Sequence, residues 1–216
     1  MTALGKPWAA RFQRKRAEFC FIVQDAKKSP QILCNLTIDG FPKICYNTDT
    51  IKGKEVHHMK NLNSFPAVYF DLDGTLAGLY SVPGWLEYLE NEDTTPYEVA
   101  TPLISFSLLA RYIHKLQAAG IAVGVISWTS KSGSADYNKQ VEAAKMEYLR
   151  RRLPSVEWDE IHIVPYGVPK YLVADMPDGI LFDDEKRNRE EWTGVAFTEE
   201  NILNILKTLV KIAAGR

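Results

Sequence analysis

Residues 67–76 read AVYFDLDGTL and carry the strongest fold signal in the chain. Four apolar residues run directly into two acids, Asp71 and Asp73, which are separated by one residue. A parallel strand covered on both faces is a continuous apolar run, and ligands of open α/β sheets bind beyond the carboxyl ends of such strands. Successive side chains of an extended backbone point to opposite sides, so Asp71 and Asp73 point to the same side. Gly74 permits a sharp turn that exposes backbone amides. The stretch predicts a catalytic site, although an Asp-Gly turn after a strand can also be merely solvated.

Three later apolar runs also have the character of buried strands, and each is followed by a polar side chain. They are residues 121–126 before Ser127, residues 161–164 before Lys170, and residues 179–182 before Asp183 and Asp184. Because the carboxyl ends of parallel strands meet at one edge of a sheet, these side chains are expected to lie near the first acid pair.

Together the four segments resemble the four motifs of the haloacid dehalogenase (HAD) superfamily. The resemblance implies an α/β fold, a Rossmann-like three-layer sandwich with a parallel sheet, over residues 65–216. It also implies a Mg²⁺ ion held by Asp71, the backbone carbonyl of Asp73, and Asp183, with Asp184 in the outer coordination sphere. Lys170 then supplies a second positive charge and holds the acids in place. Hard cations prefer such oxygen ligands.

The reaction implied by the resemblance is phosphomonoester hydrolysis through an aspartyl-phosphate. Asp71 is the expected nucleophile, and Asp73 is expected to protonate the leaving oxygen and then to activate water. Ser127, Lys170 and the amides of Leu72 and Trp128 are expected to bind the phosphoryl oxygens. An acid at the second position favours a phosphatase over a dehalogenase, because only a phosphatase must protonate an alkoxide.

The expected substrate is a nucleotide or another small phosphometabolite. The spacing leaves room only for a flap at about residues 78–103, so the chain resembles an uncapped or minimally capped HAD hydrolase. It is similar to uncharacterised bacterial and phage HAD hydrolases and, more distantly, to 5′(3′)-deoxyribonucleotidases, from which it departs at residues 77–80. The aromatic residues of the flap are interpreted as a small lid core, with stacking on a base as the alternative. They are Tyr80, Trp85, Tyr88 and Tyr97.

From residue 65 onward, strand patterns alternate with helix patterns, which is typical of a parallel α/β sheet. Helices are expected at residues 105–119, 137–152 and 199–214, and a fifth strand at residues 194–197. In the second helix, the apolar residues Val141, Ala144, Tyr148 and Leu149 are expected to face inward.

Residues 1–64 form a separate, basic segment with a β-like pattern, and their role is left open. They carry 11 Lys/Arg against 5 Asp/Glu, whereas residues 65–216 carry 15 against 22. A basic arm of this kind can hold nucleic acid, which makes an end-processing phosphatase the alternative function. A solvated helix end is the preferred interpretation of these charges, so nucleic acid is not the favoured partner. A zinc site from Cys20, Cys34 and Cys45 with a histidine is disfavoured, since no close cysteine pair exists.

The chain has 216 residues, of which 46% are hydrophobic and 25% charged. This length and composition suffice for one domain with a well-buried core and leave an additional segment. No apolar run approaches about 18 residues, so no membrane partner is expected. The odd number of cysteines and the lack of a secretory signal favour a reducing, cytoplasmic location. A non-catalytic protein on a HAD scaffold is a further alternative, but the complete acid set argues against it.

Overall fold

A computed structural model describes residues 65–215 of the protein. Its centre is a parallel sheet of five strands in the order β3-β2-β1-β4-β5. The strands are β1 (Ala67–Phe70), β2 (Ala122–Trp128), β3 (Glu160–Val164), β4 (Ile180–Phe182) and β5 (Val195–Phe197). The β-like pattern of the basic segment and the other predictions for residues 1–64 lie outside the described residues.

The first strand of the sheet is also its central strand. Val68 is paired with Val123 of β2 on one side and with Ile180 of β4 on the other. All four pairings between neighbouring strands are parallel. The acids that follow β1 therefore emerge in the middle of the carboxyl edge, between the ends of β2 and β4.

Six helices accompany the sheet within residues 65–215. They are α1 (Trp85–Glu90), α2 (Thr95–Val99), α3 (Phe106–Ala118), α4 (Ala135–Arg152), α5 (Lys186–Glu191) and α6 (Ile202–Ala214). None of them is both long enough and apolar enough to cross a membrane.

Apolar residues on both faces of the sheet are buried, which produces three layers. Val68 and Phe70 belong to a core formed with α3, α6 and the end of α4. Ala67 and Tyr69 point to the opposite face, where they join a smaller cluster with Trp192, just after α5. This alternation is the pleat of an extended strand that is covered on both sides. The predicted fold class, a Rossmann-like α/β sandwich with a parallel sheet, is confirmed.

The helix boundaries depart from the predicted ones where caps intervene. Helix α4 begins two residues earlier than predicted because the Ser134 hydroxyl accepts a hydrogen bond from the Tyr137 amide and caps the helix. The last predicted helix starts with a 3-10 turn at Glu199–Asn201 before α6. Strand β2 extends further than its apolar run, so Ser127 lies inside the strand.

The flap contains α1 and α2 and is fastened to α4. The Glu92 carboxylate accepts hydrogen bonds from the Ser134 amide and hydroxyl at 2.6 and 2.8 Å, and the Tyr137 hydroxyl donates to the Asp93 carbonyl. Of the flap aromatics, Tyr97 is buried in a small cluster with residues of α4. Tyr80, Trp85 and Tyr88 remain partly or largely exposed.

Candidate active site

Lys170 lies between two of the predicted acids at the carboxyl edge of the sheet. Its ammonium donates to Asp71 Oδ1 and to Asp183 Oδ2, both at 2.7 Å. All three side chains are buried, with Lys170 only 3% exposed. Burial by itself would lower the pKa of Lys170, but attraction to Asp71 and Asp183 outweighs burial and raises it. The lysine therefore stays charged and holds the ends of β1 and β4 together.

Three carboxylates form a compact group at the same place. One oxygen each from Asp71, Asp183 and Asp184 lies within 4.8 Å of the others. The turn after β1 approaches this group so closely that a Cβ on Gly74 would lie 2.3 Å from Asp184 Oδ2. Gly74 also has a φ of +73°, which favours glycine. The predicted Asp-Gly turn is thus packed against an acid that follows another strand.

The crowding of these acids changes their protonation. Burial, followed by repulsion from Asp71 and Asp183, raises the pKa of Asp184 to about 7. Burial also raises the pKa of Asp183 to about 6; Lys170 opposes this shift, and repulsion from Asp71 adds to it. Without another positive charge, the group favours partial protonation near neutral pH. The donor set consists of hard oxygen ligands and is short of positive charge, so it fits a cation such as Mg²⁺.

Side chains behind Asp183 and Asp184 fix their orientation. The Asn188 amide donates to both carboxylate oxygens of Asp183, at 3.2 and 3.0 Å. Thr75 and Asp184 are joined twice: the Thr75 hydroxyl accepts from the Asp184 amide and donates to its carboxylate. These bonds hold the acid pair after β4 against the turn after β1.

Asp73 lies beside this group but has a different partner. Its Oδ2 accepts a hydrogen bond from Lys145 Nζ at 2.6 Å, and the same ammonium donates to Ser127 Oγ at 3.0 Å. It also donates to the Trp128 carbonyl. Burial raises the pKa of Asp73, although Lys145 opposes the shift. The carboxylate of Asp73 is therefore separate from the three-acid group.

A cavity of about 430 Å³ opens above these groups. Its floor includes Asp71, Asp73, Ser127 and Lys170, the four residues predicted to be catalytic. Five aromatic side chains are among the residues that line the cavity. They are Tyr80, Trp85 and Tyr97 from the flap, Trp128 at the end of β2, and Tyr166 in the loop after β3. The Trp128 and Tyr166 rings are in contact, with centroids 4.8 Å apart.

The structure brings the predicted site residues together at one edge of the sheet. Two of them also have structural contacts that sequence reasoning did not anticipate. The side chain of Leu72 belongs to the main core, and the Trp128 indole donates to the Val168 carbonyl at 2.8 Å. The proposed roles of Leu72 and Trp128 concern their backbone amides, so these contacts leave those roles as predictions.

Lys145, Thr75 and Asn188 contact the predicted acids but were not among the predicted site residues. Lys145 had a detectable signal, because it follows Val141 by four residues and so lies on the inward face of α4. A charged residue on such a face requires a buried partner. Asn188 and Thr75 gave no comparable signal, since short polar residues are common next to acidic turns.

Comparison with known proteins found no matching family model and no matching curated protein. Among solved structures, the crystal structure of D,D-heptose 1,7-bisphosphate phosphatase from Burkholderia thailandensis is similar over 57% of this chain and 69% of that chain. The sequence identity is 19% and the TM-score is 0.35, a level that does not establish a common family or reaction. The fold and site themselves define the class: an α/β protein with a lysine-held acidic site at the carboxyl edge of its parallel sheet.

Proposed function

We propose that the protein is a Mg²⁺-dependent phosphomonoester hydrolase that acts through an aspartyl-phosphate, on a nucleotide or another small phosphometabolite. The observation that carries this proposal is the position of Asp71. Its carboxylate is buried at the end of the central strand, is held at one oxygen by Lys170, and lines the cavity beside Asp73. A nucleophile and an acid–base group are thus adjacent on one floor.

The residues that would hold Mg²⁺ are Asp71 and Asp183, with the backbone carbonyl of Asp73 as a further ligand and Asp184 in the outer coordination sphere. Their close spacing and the raised pKa values of Asp183 and Asp184 support this assignment. When bound, the ion would offset the repulsion between carboxylates and a phosphate dianion and would withdraw charge from the phosphoryl oxygens. Lys170 contributes a permanent positive charge next to the nucleophile.

In the first half-reaction, a carboxylate oxygen of Asp71 attacks phosphorus, and the bond from phosphorus to the leaving oxygen breaks. Asp73 gives its proton to that oxygen, so an alcohol departs and Asp71 carries the phosphoryl group. The burial that raises the pKa of Asp73 favours the protonated form that this step needs. Ser127 also lines the cavity, and its hydroxyl is suited to hydrogen-bond a phosphoryl oxygen.

In the second half-reaction, water attacks the phosphorus of the aspartyl-phosphate. Asp73, now ionised, accepts the proton of that water, and the bond between phosphorus and Asp71 breaks to release phosphate. Both carboxylates return to their starting protonation states. Dividing the displacement into two steps lets one carboxylate serve as acid and then as base.

The shape and lining of the cavity support a small substrate with a planar group. A volume of about 430 Å³ lies within the usual range for small-molecule sites. The lining includes two pairs of contacting rings, Tyr80 with Trp85 and Trp128 with Tyr166. Aromatic rings of this kind stack on nucleobases without distinguishing strongly between them. We therefore place nucleoside monophosphates first among the candidate substrates.

The test is hydrolysis of para-nitrophenyl phosphate, followed by a panel of nucleoside monophosphates and sugar phosphates. We expect turnover that requires Mg²⁺, stops on chelation, and is lost in Asp71→Asn, because an amide is a poor nucleophile and a weaker ligand. Asp136→Asn is the matched control, since Asp136 is exposed on α4 and pairs with the exposed Lys139. Full turnover after chelation or in Asp71→Asn would exclude the proposed reaction.

A further inference from the structure

We propose that Lys145 is a positioning residue that holds Asp73 and Ser127 in the arrangement needed for the reaction. This inference rests on the proposed function. Lys145 is on α4, 72 residues away in sequence from Asp73, and its side chain has no exposed surface. Its ammonium reaches the loop after β1 and the end of β2 at the same time.

Three acceptors account for the three N–H groups of the ammonium. They are Asp73 Oδ2, Ser127 Oγ and the Trp128 carbonyl, the first at 2.6 Å and the second at 3.0 Å. An ammonium has three donors and no acceptor, so Lys145 has no hydrogen bond left for a phosphate. Lys145 also does not line the cavity, whereas Asp73 and Ser127 do. Lys145 must therefore act through these neighbours rather than on the substrate.

The burial of Lys145 is difficult to explain by stability. Taking an ammonium out of water costs several kcal/mol, and an apolar side chain of similar volume often serves stability as well. The adjacent positions on the same face of α4, Val141, Tyr148 and Leu149, are apolar and buried. A methionine or leucine at position 145 would continue that face. The lysine instead connects two groups that the proposed reaction needs in a fixed relation.

Lys145 also connects these groups to the flap. Its ammonium lies 5.2 Å from the centroid of the Tyr97 ring, and Tyr97 both belongs to α2 and lines the cavity. The flap is fastened to the start of α4 by Glu92 and Ser134. One helix therefore sets the position of the acid–base group, of a phosphate-facing hydroxyl and of the cavity wall.

The loss of Lys145 should affect the step that uses Asp73 most. Without the ammonium, the Asp73 side chain can rotate about its own bonds, because no other side chain in the described part of the chain donates to it. A misplaced acid protonates a poor leaving group inefficiently, whereas a good leaving group departs without much help. The expected signature is a loss of kcat that depends on the leaving group, with KM little changed.

The experiment compares Lys145→Met with the wild type on ethyl phosphate and para-nitrophenyl phosphate at saturating Mg²⁺. We expect kcat to fall about 100-fold for ethyl phosphate and less than about 10-fold for para-nitrophenyl phosphate. Lys139→Met is the matched control, because Lys139 is on the same helix with its side chain 76% exposed, and it should leave both rates unchanged. Lys145→Gln, which retains two donors, should give an intermediate loss.

A double-mutant cycle with Asp73→Asn separates positioning from a structural effect. If Lys145 acts through Asp73, adding Lys145→Met to Asp73→Asn should lower kcat for ethyl phosphate by less than about threefold. Circular dichroism shows whether Lys145→Met folds. If it does not, the test uses Lys145→Gln and the double variant, because the double variant buries no unpaired charge at this contact.

The outcomes distinguish this inference from the proposed function. Equal losses on both substrates, or full additivity with Asp73→Asn, would overturn the role of Lys145 while the phosphatase assignment stands. A wild-type protein that is inactive on every phosphomonoester would overturn the proposed function, and this inference with it.

Discussion

Replacing Gly74 by alanine should separate the geometry of the acidic group from the stability of the fold. Gly74 follows Asp73 in the turn and has a φ of +73°. An added Cβ would lie 2.3 Å from Asp184 Oδ2 and 2.8 Å from the Tyr80 ring. The substitution therefore brings two separate penalties, one in the backbone and one at a side chain of the proposed metal site.

The two penalties have different expected sizes and readouts. An L-residue in the left-handed region costs about 1–2 kcal/mol of folding stability. The clash displaces the end of Asp184, a movable side chain, by about 1 Å before ordinary contact distances return. That shift adds little to the unfolding free energy, but it disturbs a carboxylate of the proposed metal site, where Mg²⁺ demands near-ideal geometry. A misplacement of this size is expected to lower activity about 100-fold.

Gly120→Ala is the matched control. Gly120 has a φ of +81°, and an added Cβ there would meet no atom within 4 Å. Both variants should lose a similar unfolding free energy in urea, measured without metal. Only Gly74→Ala should lose Mg²⁺-dependent hydrolysis of para-nitrophenyl phosphate, and it should need a higher Mg²⁺ concentration for half-maximal activity.

Two results would refute this reasoning. Wild-type activity in Gly74→Ala at low Mg²⁺ would mean that the position of Asp184 is irrelevant to metal binding. An equal loss of activity in Gly120→Ala would mean that reduced stability alone explains the effect, since that residue makes no contact with the acids.

Two further predictions concern pH and the aromatic wall. In the folded protein the pKa values of Asp184, about 7, and Asp183, about 6, lie above their values in the unfolded chain. The folded metal-free protein therefore binds more protons than the unfolded chain between these values. Its free energy of unfolding, relative to that of Asp184→Asn, should fall as pH rises from about 4 to about 7. Thermal unfolding of both proteins in chelator checks this, and a stability difference that grows in the wild type's favour over that range would contradict it. Tyr80→Ala should raise KM for a nucleoside monophosphate about 10-fold and leave KM for ethyl phosphate unchanged, because stacking contributes about 1–3 kcal/mol per base. Tyr88→Ala, an exposed residue outside the cavity wall, is its control, and equal effects of the two variants would contradict stacking.

The class of fold and the location of the acids follow from local patterns in the sequence. A run such as AVYF can be buried on both faces only in a covered sheet, and helix α6 shows its apolar face at the expected spacing. Both signals are local, since they depend on the geometry of one strand or one helix. For the same reason, the polar residues after each run could be assigned to one edge before any contact was known.

The pairing of the charged side chains, in contrast, is visible only in the folded protein. Lys170 contacts Asp71 across 99 residues, and Lys145 contacts Asp73 across 72. The two lysines have different partners because β1 lies between β2 and β4, an order that no local pattern specifies. Lys145 was not singled out because a lysine on a helix is usually solvated, and its partners come from two other elements. The sequence thus identifies the acidic and basic groups of the site, but which of them pair depends on the strand order and on where the helices pack.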